Sequence, residues 1–129
     1  MTHRVIVSLA SNSNQKHNLA EARRCLGEAL LHDELYSDEL WTEPVGGSRP
    51  DLYLNQVVAA TTTLDADSLS QQLKAIEARL GRTAEARRCG LVPIDLDLLS
   101  FDGCRFHLRD WQRPYVRDLL PQIATKEQQ

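Results

Sequence analysis

The chain begins with a segment, Val5–Ala10, that is mostly apolar on both faces. A β-branched run of this kind is typical of a central strand, because such strands are covered on both sides. The residues that follow, Ser11–Asn14, are of the types found in turns and at helix N-caps. A helix is predicted from about Gln15 to Leu31, where apolar residues recur at helical spacing: Leu19, Ala22, Cys25, Leu26, Ala29 and Leu30. The first unit is therefore a strand, a polar turn and a helix, with Cys25 on the buried helix face.

Two more strands and a long loop are predicted in the middle of the chain. Leu35–Thr42 indicates a strand, although its apolar positions are out of phase with one another. Residues 42–51 are rich in glycine and proline, which is typical of a long loop. Tyr53–Leu64 has strong β character, and we expect it to form the longest strand.

A second helix is predicted to open at Asp65–Ser68, where Ser68 and Gln71 fit a capping box. Its apolar stripe is the most regular in the chain and consists of Leu69, Leu73, Ile76 and Leu80. Gly81 follows at the position beyond the helix end that glycine prefers. The residues after it, Arg82–Gly90, are predicted to form a loop.

The C-terminal third combines a strand, a turn and a helix. The strand is predicted from Pro93 to about Phe101, and Asp102–Gly103 is a turn. A last helix is predicted from about Pro114 or Tyr115 to Ile123, and residues 125–129 are expected to fray. The order is thus β-α-β-β-α-β with a C-terminal helix. It favours a two-layer α+β domain in which an antiparallel sheet is covered by helices on one face.

Composition narrows the functional classes. The chain has 129 residues, which by length indicates one domain over residues 1–129. Its net charge of −3 argues against nucleic-acid binding through bulk charge, and no apolar run approaches the ~20 residues of a membrane span. Three widely spaced cysteines and the absence of a signal-peptide pattern lead us to expect a cytoplasmic protein with reduced thiols.

The candidate chemistry centres on Asp95 and Asp97 in the last strand. Side chains alternate along a strand, so both carboxylates point to one face while Ile94, Leu96 and Leu98 point to the other. Arginines precede and follow this strand: Arg79, Arg82, Arg87, Arg88 and Arg113. Carboxylates that hold magnesium and arginines that hold phosphate oxygens form the two halves of a nucleotide-phosphate site. The alternative is a solvated strand face beside an exposed arginine cluster.

Other catalytic arrangements have little support. The chain contains neither the P-loop pattern nor the dinucleotide-binding glycine pattern, so a phosphate site would have to be built from side chains. No serine or cysteine carries a nucleophile signature, and the histidines and cysteines lack metal-ligand spacing. His3, His17 and His32 are interpreted as surface or packed residues.

Taken together, the motifs resemble those of the 6-hydroxymethyl-7,8-dihydropterin pyrophosphokinase family over nearly the whole chain. The resemblance rests on six short pieces in the family's order: Leu9-Ala10-Ser11-Asn12, Thr42-Glu43-Pro44-Val45-Gly46, Tyr53-Leu54-Asn55, Ile76-Glu77 with Gly81-Arg82, Ile94-Asp95-Leu96-Asp97-Leu98-Leu99, and His107 with Arg113 and Tyr115.

The resemblance implies a ferredoxin-like fold and a magnesium-dependent transfer of pyrophosphate from ATP, the co-substrate, to the pterin hydroxymethyl oxygen, with AMP released. It implies two Mg²⁺ ions on Asp95 and Asp97, with catalytic roles for Arg82, Asp95, Asp97 and His107. The implied pterin-binding residues are Thr42, Val45, Tyr53, Asn55, Asp95 and Tyr115. The implied ATP-binding residues are Glu77, Arg82, Arg88, Leu98, His107 and Arg113. Loops 43–52 and 82–92 would close over the substrates. No nucleic-acid or membrane partner is expected, and a monomer is favoured.

The chain departs from the family pattern in the 82–92 loop. The family has an arginine where this chain has Val92, an aromatic residue where it has Cys89, and a further arginine where it has Ala84. Three functions therefore stay open: the pyrophosphokinase, a non-catalytic or altered-specificity relative that binds pterin or nucleotide, and a ferredoxin-like interaction domain with solvated aspartates. The third ranks last because it leaves the ordered set of motifs unexplained.

Overall fold

A computed structural model describes residues 1–43 and 52–128. In this part of the chain one antiparallel sheet has the order β2-β4-β1-β5-β6, and β3 also pairs with β4. The strands are β1 His3–Ser11, β2 His32–Tyr36, β3 Leu40–Thr42, β4 Tyr53–Thr62, β5 Asp95–Phe101 and β6 Cys104–Arg105. The helices are α1 Gln15–Ala29, α2 Ala66–Arg79, α3 Ala84–Arg88 and α4 Pro114–Gln128, with a 3₁₀ turn at Asp110–Gln112. The predicted ferredoxin-like α+β class is confirmed.

One face of the sheet packs against α1 and α2. Leu19 and Leu26 of α1, and Leu69 and Leu73 of α2, are buried there against alternate strand residues. In β5 those alternate residues are Leu96 and Leu98, as the period of two requires. This alternation turns Asp95 and Asp97 toward the opposite face.

The opposite face is covered in part by α4, so the prediction that helices cover only one face is wrong. Leu119 and Ile123 of α4 pack against Val57 and Ala59 of β4. The reason is that β4 is apolar on both sides, with every residue from Leu54 to Ala60 buried. A strand with two apolar faces needs a layer on each of them.

The predicted strand over 35–42 is interrupted. Ser37 separates β2 from β3, and its backbone N–H donates to Val57 O while its hydroxyl accepts from the Val57 N–H at 3.0 Å. Gln56 Nε2 also donates to Ser37 O. These bonds hold the chain against β4 through a break in the strand, which accounts for the irregular phase of its apolar positions.

Two helix starts and one helix end differ from the predictions. The predicted capping box at Ser68 is wrong, because the N-cap of α2 is Asp65, directly before the first helical residue. The Asp65 carboxylate accepts from the Ser68 N–H at 2.7 Å. The predicted loop after Gly81 contains the short helix α3, capped by Thr83. Helix α4 continues to Gln128 rather than ending at Ile123. Its last residues are polar, so no apolar periodicity in the sequence could predict this extension.

Three further structural predictions are confirmed, and another falls mostly outside the described residues. Gly81 has a φ of 105° directly after α2, and Asp102–Gly103 forms the turn after β5. Most of the predicted 42–51 loop falls in residues 44–51, which are outside the described residues. Cys25 is buried. No helix among the described residues is long and apolar enough to cross a membrane.

Candidate active site

A cavity of about 620 Å³ opens on the α4 side of the sheet, next to the start of that helix. The ends of β1, β3, β4 and β5 form its floor, and the 3₁₀ turn and α4 form one wall. Seven of the residues predicted for the site line it: Thr42, Tyr53, Asn55, Asp95, Asp97, Arg113 and Tyr115. Most of the side chains that line the cavity thus belong to residues that were predicted for the site from the sequence.

Strand register explains why residues so distant in sequence meet here. Ala10 of β1 pairs with Asn55 of β4 on one side and with Asp95 of β5 on the other. Thr42 of β3 pairs with Tyr53 of β4. Residues paired across antiparallel strands point to the same face, so the polar ends of four strands project into one cavity.

The β3–β4 side of the cavity is a neutral, hydrogen-bonded wall. Asn55 is 2% exposed, and its Nδ2 donates to Thr42 Oγ1 at 2.7 Å and to Leu40 O at 3.0 Å. Burial raises the pKa of Tyr53, and burial followed by the nearby Asp110 raises the pKa of Tyr115 to about 12. Both phenols therefore keep their protons at neutral pH and offer hydrogen-bond donors beside an aromatic surface.

The β5 side carries the charge. Burial, and then the charge of Asp95, raise the pKa of Asp97 to about 6. Lys74 Nζ and His107 Nε2 lie 3.9 Å and 4.0 Å from Asp97 Oδ1 and oppose this shift. His107 adopts a φ of 52°, in the left-handed region that is uncommon for a residue other than glycine. Burial and the neighbouring charge thus disfavour the charged form of Asp97 unless a cation binds beside it.

This donor set fits a hard divalent cation. The described residues contain no group of three or more histidine, cysteine, aspartate or glutamate side chains arranged to hold a metal. A cation held by Asp95 and Asp97 would thus have two protein carboxylates, and its other ligands would be water or phosphate oxygens. Magnesium is usually bound in this way, through one or two carboxylates plus substrate phosphates.

Arg82 forms an ion pair with Asp95, the first of these two carboxylates. Its Nη1 lies 2.8 Å from Asp95 Oδ1 and 3.2 Å from Glu77 Oε1. Burial alone would lower the pKa of Arg82, but Asp95, Glu77 and Asp97 outweigh it and raise the pKa. Its Nε is buried without a hydrogen-bond partner among the described residues. An unpaired buried donor on this side chain is a cost that a further acceptor, such as a phosphate oxygen, would remove.

Glu77 is buried beneath the strand that carries the aspartates. It is 4% exposed, and its Oε2 accepts from the Leu96 N–H at 2.8 Å and lies 3.3 Å from Lys74 Nζ. Its carboxylate is thus engaged with protein donors on both oxygens, and its predicted contact with ATP stays a prediction. What the geometry shows is that Glu77 fixes the backbone between Asp95 and Asp97.

The structure does not bring every predicted residue to the cavity. Leu98 is buried in the core on the α1–α2 face, Arg88 is exposed at the end of α3, and Val45 lies outside the described residues. Their predicted contacts with substrates stay predictions. Arg113 does line the cavity, and its Nε donates to Asp110 Oδ1 at 3.0 Å.

Three neighbours of the site were not assigned a role from the sequence: Asn12, Lys74 and Asp110. Asp110 begins the 3₁₀ turn and forms an ion pair with Arg113, which follows directly after the turn, and the spacing of three residues could have indicated this pair. Lys74 is one helical turn before Glu77, which a helical reading of α2 could have used. Asn12 stood in a recognised motif, but its contacts are with residues about 80 positions away and leave no local signal.

Comparison with known proteins yields one family. The family model described as 7,8-dihydro-6-hydroxymethylpterin-pyrophosphokinase (HPPK) matches residues 6–125. A 2-amino-4-hydroxy-6-hydroxymethyldihydropteridine pyrophosphokinase of Porphyromonas gingivalis is 32% identical over 137 residues, covering 93% of this chain and 90% of that protein. A folate synthesis bifunctional protein of Arabidopsis thaliana is 31% identical over 132 residues, covering 95% of this chain. A protein of the same name from Chlamydia trachomatis is 29% identical over 136 residues. The chain spans 27% and 30% of the length of these two bifunctional proteins.

Proposed function

The chain belongs to the 7,8-dihydro-6-hydroxymethylpterin-pyrophosphokinase family, and from this premise we propose that it transfers pyrophosphate from ATP to the hydroxymethyl group of 6-hydroxymethyl-7,8-dihydropterin. AMP is released, and the reaction belongs to folate biosynthesis. One observation carries the proposal: a single cavity joins a neutral, aromatic, hydrogen-bonding wall to a pair of carboxylates flanked by arginines. That combination suits a flat heterocycle on one side and a polyphosphate on the other.

The neutral wall is assigned to the pterin. Tyr53 and Tyr115 present aromatic surface, and Asn55 is a buried amide whose orientation is held by Thr42 and the Leu40 carbonyl. A buried amide selects by hydrogen bonding, because a ligand without the matching group leaves it unpaired. The wall therefore favours a ring with several polar edge atoms over a purely apolar one.

The charged wall is assigned to the triphosphate of ATP. We propose that Asp95 and Asp97 hold magnesium, two ions in the full complex, with water and phosphate oxygens as the other ligands. Such ions neutralise the charge that develops on the transferred group. Arg82 contacts Asp95, His107 lies beside Asp97, and Arg113 borders the cavity. These side chains bind and orient the phosphates, and the phenols beside them help to exclude water.

A second candidate has support from the loop that carries α3. Val92, Cys89 and Ala84 replace residues that the family uses for phosphate and pterin contact, and Cys89 is exposed. A relative that binds pterin or nucleotide without rapid turnover would tolerate these changes. In either case we take the protein to act on small molecules as a cytoplasmic monomer.

The deciding experiment measures AMP formation from ATP, magnesium and 6-hydroxymethyl-7,8-dihydropterin. We expect AMP in proportion to the pterin added. Asp97→Ala should abolish it while the circular dichroism spectrum is retained, and Asp118→Ala, an exposed aspartate on α4, should not. No AMP above background from a protein that still binds pterin in calorimetry would exclude the kinase and favour the binding relative.

A further inference from the structure

Asn12 connects the end of β1 to the loop between α3 and β5. It is 6% exposed. Its backbone N–H donates to Val92 O at 2.9 Å, its Nδ2 donates to Gly90 O at 3.1 Å, and its Oδ1 accepts from the Val92 N–H at 2.6 Å. One residue thus makes three hydrogen bonds to the backbone of Gly90 and Val92, within a span of three residues.

The position of these bonds matters more than their number. Val92 lies three residues before Asp95, with Pro93 and Ile94 fully or nearly buried between them. Whatever holds Val92 also sets where β5 begins, and with it the placement of the carboxylate pair. Val92 is also the end of the 82–92 segment that starts with Arg82, so its attachment limits how that segment can move.

Asn12 also approaches Tyr53, one of the residues that line the cavity. Its Nδ2 lies 3.5 Å from the phenol oxygen of Tyr53, at the long limit of a hydrogen bond. β1 runs between β4, which carries Tyr53 and Asn55, and β5, which carries Asp95. The turn after β1, which carries Asn12, therefore lies between the strands that form the two walls of the cavity.

We propose that Asn12 is a positioning residue that anchors the end of the 82–92 loop and couples its placement to Tyr53; the inference rests on the proposed function. The side-chain amide suits this task because it has a donor and an acceptor in one plane, as a peptide unit has. It satisfies the Gly90 carbonyl and the Val92 N–H together. An aspartate could accept from Val92 but would face the Gly90 carbonyl with a second acceptor, and an alanine could do neither.

The proposal has a consequence for substrate binding. A pterin that contacts the Tyr53 hydroxyl would change the surroundings of Asn12 Nδ2. The same nitrogen donates to Gly90 in the loop that leads into β5. Pterin and ATP should consequently bind more tightly together than apart. If Asn12 is a positioning residue, its replacement weakens this mutual enhancement of ATP and pterin binding. If its role is purely structural, the replacement lowers stability and leaves the enhancement unchanged.

The test compares Asn12→Ala and Asn12→Asp with Asn18→Ala. Asn18 is a matched control, because it is 8% exposed and its Nδ2 donates to the Ser13 carbonyl at 2.7 Å, but among the described residues it makes no hydrogen bond to the 82–92 loop. We expect Asn12→Ala to lower kcat/KM for ATP about 10- to 100-fold, the range for small misplacements of a reacting group. Asn12→Asp should recover part of the loss, and Asn18→Ala should lower thermal stability with kcat and KM close to those of the wild type.

Two measurements keep the inference separate from the proposed function. Hydrogen exchange of the backbone amides over 90–92 should speed up in Asn12→Ala and not in Asn18→Ala, whether or not the wild type turns over. Calorimetry of ATP with and without pterin should show that Asn12→Ala and Tyr53→Phe each reduce the mutual enhancement of binding, and that the double variant loses no more than either single one. Exchange rates and kinetics that match the Asn18→Ala control would overturn the anchor. Independent, multiplying effects of Asn12→Ala and Tyr53→Phe would overturn the coupling.

Discussion

Replacing Asp97 with asparagine should stabilise the metal-free protein while removing its function. The side chain is 18% exposed and shares the cavity with Asp95, and its pKa of about 6 lies above the ordinary value of 3.8. A difference of about two pKa units corresponds to roughly 3 kcal/mol between the charged and neutral forms. Because water still reaches part of the carboxyl, we expect about 1–2 kcal/mol in the free energy of unfolding. Asparagine keeps the shape of the side chain and carries no charge.

The pH dependence gives this prediction a sign that can be checked. Since the pKa of Asp97 is raised by folding, its neutral form contributes stability that is complete below about pH 4 and is lost as the pH rises through 6. The advantage of Asp97→Asn over the wild type should thus be near zero at pH 4 and fully developed at pH 8.

Urea unfolding in the presence of EDTA measures the effect, with Asp118→Asn on the exposed face of α4 as the control. Added magnesium and ATP should stabilise the wild type and leave Asp97→Asn unchanged, as expected when only the folded wild type binds them. A variant that is less stable than the wild type at pH 8, or equally shifted at pH 4 and pH 8, would refute the reasoning that Asp97 pays a desolvation and repulsion cost.

Three further outcomes follow from the contacts around the cavity. Val92→Arg should raise turnover about tenfold or more by restoring a phosphate contact, and unchanged AMP production would mean that the loop contacts phosphate in another way. Glu77→Ala should lower the free energy of unfolding by about 1–3 kcal/mol in urea, since the buried Leu96 N–H loses its acceptor; stability equal to that of the wild type would contradict this role. Asn55→Ala should weaken pterin binding about tenfold or more in calorimetry and leave ATP binding intact, so an equal loss for both ligands would reject its assignment to the pterin wall.

The parts of the fold that could be predicted from the sequence are those in which period and burial agree. β1, α1, β4 and α2 each bury a regular apolar set, so their type and approximate bounds follow from spacing alone. The alternation in β5 likewise separates Leu96 from Asp95 without any knowledge of the tertiary structure. The local pattern was sufficient to predict which side chains are buried wherever the periodicity of a single helix or strand sets their orientation.

Other features depend on partners that are far away in sequence. The break at Ser37 is held by Val57, and the layer formed by α4 depends on the second apolar face of β4. Neither relation has a local signature. The five-residue helix α3 is too short for apolar periodicity to distinguish it from a loop, and only the Thr83 cap could have indicated it.

For the site, residue types could be predicted but not their partners. The pattern predicted Arg82 and Asp95 as members of one phosphate site but not that they contact each other, which they do at 2.8 Å. We expect a cation on Asp95 to weaken this ion pair and to leave Arg82 available to a phosphate oxygen. The buried, unpartnered Nε of Arg82 fits such a role, because the side chain is not fully satisfied where it stands.

Val92 shows how a residue that departs from a family pattern can still serve the site. The departure concerns its side chain, whereas Asn12 binds its backbone N–H and carbonyl, which every residue except proline offers. The anchor of the loop is therefore independent of the lost arginine. The backbone bonds from Asn12 that hold the start of β5 are present. At position 92, only the side chain differs from the arginine of the family pattern. That is why Val92→Arg tests the loss of one contact without disturbing the frame that would hold it.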